Sequence, residues 1–302
     1  MKALTIIVSL LILVSGCKIS YKKSHLTAGS TVAQSGVYIN TKVCLESAFD
    51  NDLAGVEMST ALNIQDIIPR VTPFESAAPW YHYSANDMSL SPNILDPDLD
   101  PLTTVDRIFV DWVLVEVYQD VDGVMTYRDG QSALIHFNGT IYDTSGFQGI
   151  LFPELTAGEY YVNIIHRNHL SIGSATTVTL NSDFQASAYN IDFTNSATAY
   201  LDEVALTPYV SMGLNSTKCM KAGDLNGDLA IDVSDETAIS TNIAEVVASP
   251  PNDISILGYL NSDVDFDGQV QMYTDAAGTI PSGDLSLIQT HSGTYGSIHV
   301  AD

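Results

Sequence analysis

Positive charge is what this chain has least of. Eleven Lys and Arg stand against 36 Asp and Glu, a formal net charge of −25. From Asp224 to Asp302 there are 13 Asp and Glu and neither Lys nor Arg. A field of that sign repels phosphate backbones and anionic lipid surfaces, which excludes nucleic acid as a partner and electrostatic adsorption to a membrane. The apolar run from Ala3 to Val14 is shorter than the roughly 20 residues of a spanning helix. A nucleophile elbow, a phosphate-cradling glycine loop and a His-Glu zinc helix are all missing, so no motif points to an enzyme. Carboxylates are numerous enough for a glycosidase pair, but they concentrate in the last third of the chain, where a metal would engage them. Low charge density (16%) with 45% hydrophobic residues describes a globular chain with a real core.

Cysteine is also scarce, at three residues. Cys17 ends the segment Leu13-Val14-Ser15-Gly16-Cys17, which follows a basic start at Lys2 and a short apolar stretch. This pattern is an export signal, and it resembles the lipobox of bacterial lipoproteins, which implies lipidation at Cys17 and a lipid anchor at the cell envelope, outer membrane or cell surface. Residues 18–35 then read as a tether. Cys44 and Cys219 remain, an even pair in an oxidising compartment: either a bridge closing a long loop or two buried thiols.

The most informative stretch runs from Asp224 to Asp235. Asp224, Asn226, Asp228, Asp232 and Asp235 occupy positions 1, 3, 5, 9 and 12 of a twelve-residue loop, with Ala230 at position 7 where a backbone carbonyl serves. A hard divalent cation needs six to eight oxygens on a small sphere, and alternate residues of a tight turn supply them. A second copy begins at Asp263, Asp265, Asp267 and Gln269, with Gly268 at position 6. Its position 12 is Thr274. The equivalent of Asp235 is Asp284, because Asp235 to Ile239 and Asp284 to Ile288 have the same spacing of acid and isoleucine. The first copy departs at position 6, where Leu229 stands in place of glycine. Close-set carboxylates without basic neighbours call for a bound cation, and Ca2+ is the expected cofactor.

These paired loops, each followed by one helix, resemble the dockerin type I repeat over Ala222 to Ser292. The resemblance implies a small α-helical, calcium-binding module, assigned to residues 216–302, and a cohesin-like or other surface protein as docking partner.

Between Gly36 and Val210 the pattern is short strands and turns. Arg107 to Tyr118 is β-branched and aromatic, with Trp112, Leu114, Glu116 and Tyr118 alternating against Val113, Val115 and Val117. The valine set is the expected core face. Runs at 132–137, 139–142, 158–166, 175–180 and 189–193 continue at sandwich spacing. Residues 36–215 are therefore expected to form an antiparallel β-sandwich. Leu155, Gly158 and Tyr160 resemble the lead-in to a late strand of prealbumin-like surface domains, which implies a prealbumin- or Ig-like sandwich. The region from Lys42 is also similar to modules of uncharacterised exported bacterial surface proteins that precede dockerin-like segments.

Residues 53–104, rich in proline, read as long loops decorating the sandwich. Within them Trp80, Tyr81 and Tyr83 are a candidate glycan contact, although aromatic clusters in loops more often serve packing. His166 and His169 lack a third ligand at metal spacing, so structural hydrogen bonding at the sandwich rim is expected. Two functions fit: a non-catalytic, calcium-stabilised surface lipoprotein for adhesion or assembly, or a cohesin-recruited accessory of polysaccharide degradation with a glycan-binding sandwich.

Overall fold

The computed structural model describes residues 36–50, 55–74, 89–91, 94–95, 108–185, 188–195, 208–246, 255–257, 259–260, 262–266, 269–271 and 284–296, without the side chains of 240–246, 255–257 and 269–271. The export signal with Cys17, the tether, and Trp80, Tyr81 and Tyr83 lie outside the described residues.

In chain order the elements are β1 (Val37–Ile39), β2 (Thr41–Lys42), α1 (Ala61–Ile64), β3 (Phe109–Val121), β4 (Val124–His136), β5 (Ile141–Tyr142), β6 (Ile150–Phe152), β7 (Gly158–Ile165), β8 (Ile172–Gly173), β9 (Val178–Leu180), β10 (Ile191–Asp192), β11 (Tyr209–Met212), β12 (Thr217–Met220), β13 (Ala230–Ile231), α2 (Val233–Val246), β14 (Ser255–Leu257), β15 (Gln269–Gln271), α3 (Asp284–His291) and β16 (Thr294–Tyr295). The fold is mainly β with antiparallel sheets. Among the described residues no helix is long and apolar enough to cross a membrane.

The largest sheet has the order β5-β4-β3-β7-β8, with β9 also pairing β7. Its spine is the hairpin of β3 and β4, turned by Asp122 and Gly123 at φ 56° and 86°. Two successive left-handed residues match the right-handed twist of the flanking strands, and Asp-Gly is the pair that adopts them cheaply. Smaller antiparallel pairs are β1-β6 and β11-β12, while β2 and β10 pair in parallel. Cys44 and Cys219 are disulfide-bonded, with Cα atoms 4.4 Å apart, and tie the segment after β2 to β12.

The valine face of β3 is buried as expected, and the opposite face is buried too. Trp112, Leu114, Glu116 and Tyr118 are as buried as Val113, Val115 and Val117. The cover on the tryptophan side comes from the proline-rich segment. Trp112 Nε1 donates to Pro69 O at 2.9 Å, and Thr72 Oγ1 meets Ser132 Oγ at 2.6 Å on the β4 residue paired with Leu114. Met58, Leu62, Ile68 and Phe74 join the main core, so the described part of that segment is a structural layer and not decoration. Alternation signals one buried face only when the other meets water, and here neither does.

A separate apolar cluster forms around Leu225, Ile231, Ile239, Val264, Leu285 and Ile288, capped by Leu170 and Ala222. The turn of the β11-β12 hairpin, Gly213 to Ser216, contains the expected domain boundary at 215/216, and residues 35–302 group as one compact unit.

Candidate metal centre

The two Asp-rich loops fold alike. In the first, Gly227 and Leu229 have φ 71° and 68°; in the second, Phe266, at the position equivalent to Gly227, has φ 61°. Leu229 thus takes the left-handed conformation despite its Cβ, at a cost of about 1 kcal/mol. Asp235 Oδ1 accepts from the N–H of Leu225 at 2.8 Å and of Asn226 at 3.4 Å. Asp284 Oδ1 accepts from the N–H of Val264 and, at 3.1 Å, of Asp265. The acid that opens each helix therefore closes onto the same two amides of its own loop.

Pairing carries the duplication further. β13, within the first loop, pairs with β16, which follows α3; β15, within the second, pairs with β14, which follows α2. Each loop leans on the strand behind the other copy's helix. Leu225 with Val264, and Ile239 with Ile288, occupy equivalent places in the small core.

The carboxylates are arranged differently in the two copies. Asp263, Asp265 and Asp284 bring carboxylate oxygens within 4.8 Å of one another, and this is the one such group among the described residues. Ligands on opposite sides of a cation at about 2.4 Å would stand about 4.8 Å apart, so one ion can reach all three. Asp263 and Asp284 are fully buried. Asp267 lies outside the described residues, and of Gln269 only the backbone, in β15, is described.

In the first copy the side chains bind backbone within the loop. Asp224 accepts from Gly227 N at 2.8 Å and Leu229 N at 3.2 Å; Asn226 Oδ1 accepts from Asp228 N at 2.8 Å; Asp228 Oδ1 accepts from Ala230 N at 3.0 Å. Asp232 Oδ1 accepts from Ser234 N and Oγ, each at 2.7 Å. Burial, together with the charge of Asp235, pushes Asp224 up to about 8, and burial also raises Asp235. Carboxylates held against their charge in this way are the donors a hard cation relieves. The all-oxygen donor set fits such an ion in both loops.

What fixes the loops in place is the strand end His166 to His169, every residue of it buried. Asn168 touches the start of both copies: its carbonyl accepts from Gly223 N at 2.8 Å, and its Nδ2 donates to Asp263 O at 2.7 Å. Arg167 Nε donates to Asp111 Oδ2 at 2.9 Å and Nη1 donates to Leu260 O, while its guanidinium lies 4.3 Å from the Tyr259 ring centroid and 5.0 Å from that of Phe266. Tyr259 OH donates to Asp111 Oδ1 at 2.6 Å.

The histidines complete this network as neutral rings. Asn168 N donates to His166 Nδ1 at 3.3 Å, so that nitrogen is an acceptor and the proton sits on Nε2, 3.3 Å from Asp111 Oδ2. His169 Nδ1 lies 2.8 Å from Asn168 Oδ1, and its Nε2 3.1 Å from Ser47 Oγ. Burial lowers both histidines. Burial would raise Asp111, but the Arg167 charge and the bonds from His166 and Tyr259 bring it down to about 2. The pair is therefore a charged Asp–Arg bond set among neutral histidine and tyrosine rings.

Sequence reasoning named both loops, Asp284 and the histidines, but it missed Asp111 and Tyr259. A signal for Asp111 existed: one charged residue inside Phe109 to Val115, an otherwise apolar run, demands a buried counter-charge. Compared with known protein families, curated proteins and solved structures, the chain matches none.

Proposed function

We propose that the two loops bind Ca2+ and that the protein is a non-catalytic, calcium-stabilised bacterial surface lipoprotein, displaying a prealbumin- or Ig-like β-sandwich for adhesion or assembly. The observation that carries the reading is the convergence of Asp263, Asp265 and Asp284 within 4.8 Å in a loop whose spacing suits an oxygen-ligated cation. Calcium is favoured over magnesium because a protein-supplied, carboxylate-rich shell suits a large flexible sphere, whereas magnesium keeps its water. The repeat of loop, helix and exchanged strand supports a dockerin-like module, whose helices would dock a cohesin-like or other surface partner. Retention at the envelope follows from lipidation of Cys17.

The test is a thermal melt of lipid-free residues 18–302 in chelator and then in millimolar calcium. At a hundred times the dissociation constant, one site adds about 2.7 kcal/mol. The melt should rise with calcium and much less with magnesium. Asp263→Asn with Asp284→Asn should remove one site, and Asp224→Asn with Asp228→Asn the other. A melt indifferent to calcium would overturn the reading.

A further inference from the structure

A cavity of about 110 Å³ opens beside β1 and the residues after β9, lined among others by Tyr38, Asn181, Asp183, Phe184, Gln185 and Asn190. Three aromatic rings gather there at the surface. Phe184 is 5.4 Å from Tyr38 and 4.8 Å from Phe147, centroid to centroid, and Phe147 is 44% exposed. Tyr38 and Phe184 are half-buried, so the cluster is anchored in the fold while part of its ring surface stands open to a ligand. The metal loops contribute none of these residues.

The site is held in shape by the fold. Asn40, 1% exposed, donates through Nδ2 to Gln185 O at 3.0 Å and Ala188 O at 2.9 Å, and its N–H donates to Asn190 Oδ1 at 2.7 Å. Gln148 Nε2 donates to Asn40 Oδ1 at 3.3 Å. A buried amide thus uses both its ends to set the backbone that carries the polar lining. Asp183 N donates to Asn181 Oδ1 at 2.8 Å, which fixes the stem of that carboxylate. Phe184 rests on Gly149, where any Cβ would come within 2.8 Å of the ring and of Ile39 O. Preorganisation of this kind lowers the ordering cost of binding.

We propose that this pocket binds one neutral pyranose ring, the terminal sugar of a glycan. A pyranose has an apolar C–H face that stacks on exposed rings and an edge of hydroxyls that pair with a carboxylate and amides, and the pocket offers both. Its volume is well below the ~300 Å³ of pockets for larger ligands, which limits it to a single ring. Asp183 and the net charge of −25 exclude uronic acids. An organic cation fits less well, since Tyr38, Phe147 and Phe184 pack against one another and leave no cage between them. The inference stands apart from the calcium reading, so either can fail alone.

The experiment is saturation-transfer NMR on the full chain in millimolar calcium, with methyl β-glucopyranoside, methyl β-galactopyranoside, methyl α-mannopyranoside and glucuronate as probes. At least one neutral glycoside should bind saturably, with a dissociation constant on the order of a millimolar for so small a ligand. Asp183→Asn and Gln185→Ala, both at exposed positions, should keep the parent melting temperature; loss of a hydrogen bond to the charged Asp183 weakens binding about tenfold. Phe184→Ala should abolish binding, and Trp80→Ala should leave it unchanged. The proposal is overturned if none of the three glycosides binds, if neither Asp183→Asn nor Gln185→Ala weakens binding, if glucuronate binds more tightly than the neutral sugars, or if Trp80→Ala removes binding.

Discussion

Asparagine at position 111 would keep the shape of the side chain and its acceptor toward Tyr259 while deleting the charge that faces Arg167 at 2.9 Å. Neither group has access to water: Asp111 is fully buried and Arg167 is 2% exposed. The remaining partners of the guanidinium are the Leu260 carbonyl and two rings, which accept or stack but carry no charge. Removing one member of a buried pair costs about 3–5 kcal/mol. The charge of Asp263 also bears on Arg167, and the Tyr259 bond survives, so the lower end, about 3 kcal/mol, is expected. For a domain of this size that is a fall of roughly 6–12 °C in melting temperature. Calorimetry of parent and D111N, in chelator and in calcium, measures it. Arg167 also holds Leu260, three residues before Asp263, so D111N should shrink the calcium-induced rise as well. Leucine at 111 with methionine at 167 removes both charges and should recover most of the loss. A D111N melt within about 1 °C of the parent, or a double variant less stable than D111N, would refute the reasoning.

Glu116 faces Gly130 on β4 and Asn163 on β7, and burial raises it to about 7 while Tyr118 OH, donating at 2.8 Å, opposes the rise. Between the ordinary value of 4.5 and about 7 the unfolded chain has shed a proton that the folded chain keeps. Stability should therefore fall by about 3 kcal/mol as pH rises through that window. In E116Q the urea midpoint should lose this component of its slope; an unchanged slope would show that Glu116 is ionised in the fold. The bridge of Cys44 and Cys219 spans 175 residues, and its removal in a double serine variant should cost up to about 5 kcal/mol. Denaturant midpoints with and without reductant should reproduce that loss in the parent and show none in the variant.

β3 and β7 were legible because a sheet buried in a core must be built from β-branched and aromatic residues, whatever covers it. The cover was not legible. Trp112 finds its partner at Pro69, and nothing in a prolyl segment announces that its carbonyl will face an indole. The likeness of the two Asp-rich loops was legible because their spacing is local, and the place of Asp284 was found through the spacing it shares with Asp235. Sequence favoured the first copy, whereas the tight carboxylate group lies in the second. The first copy's acids are near enough to their own backbone amides to be satisfied by them, a competition that spacing cannot reveal. Asn168 was invisible for the opposite reason: its two loop contacts lie 55 and 95 residues away along the chain. Tyr38 and Phe184 meet only through the fold, with no shared pattern to connect them.

Glu46 receives the N–H of Ala222 at 3.0 Å on one oxygen and meets His291 Nε2 at 2.8 Å on the other, across 245 residues. A carboxylate set just after the first short strands is thus satisfied by α3. A polypeptide made N-terminus first cannot complete this contact until almost the whole chain has been added. Until α3 is in place Glu46 lacks its His291 partner, so closure of the opening segment is a long-range contact of the kind that slows folding.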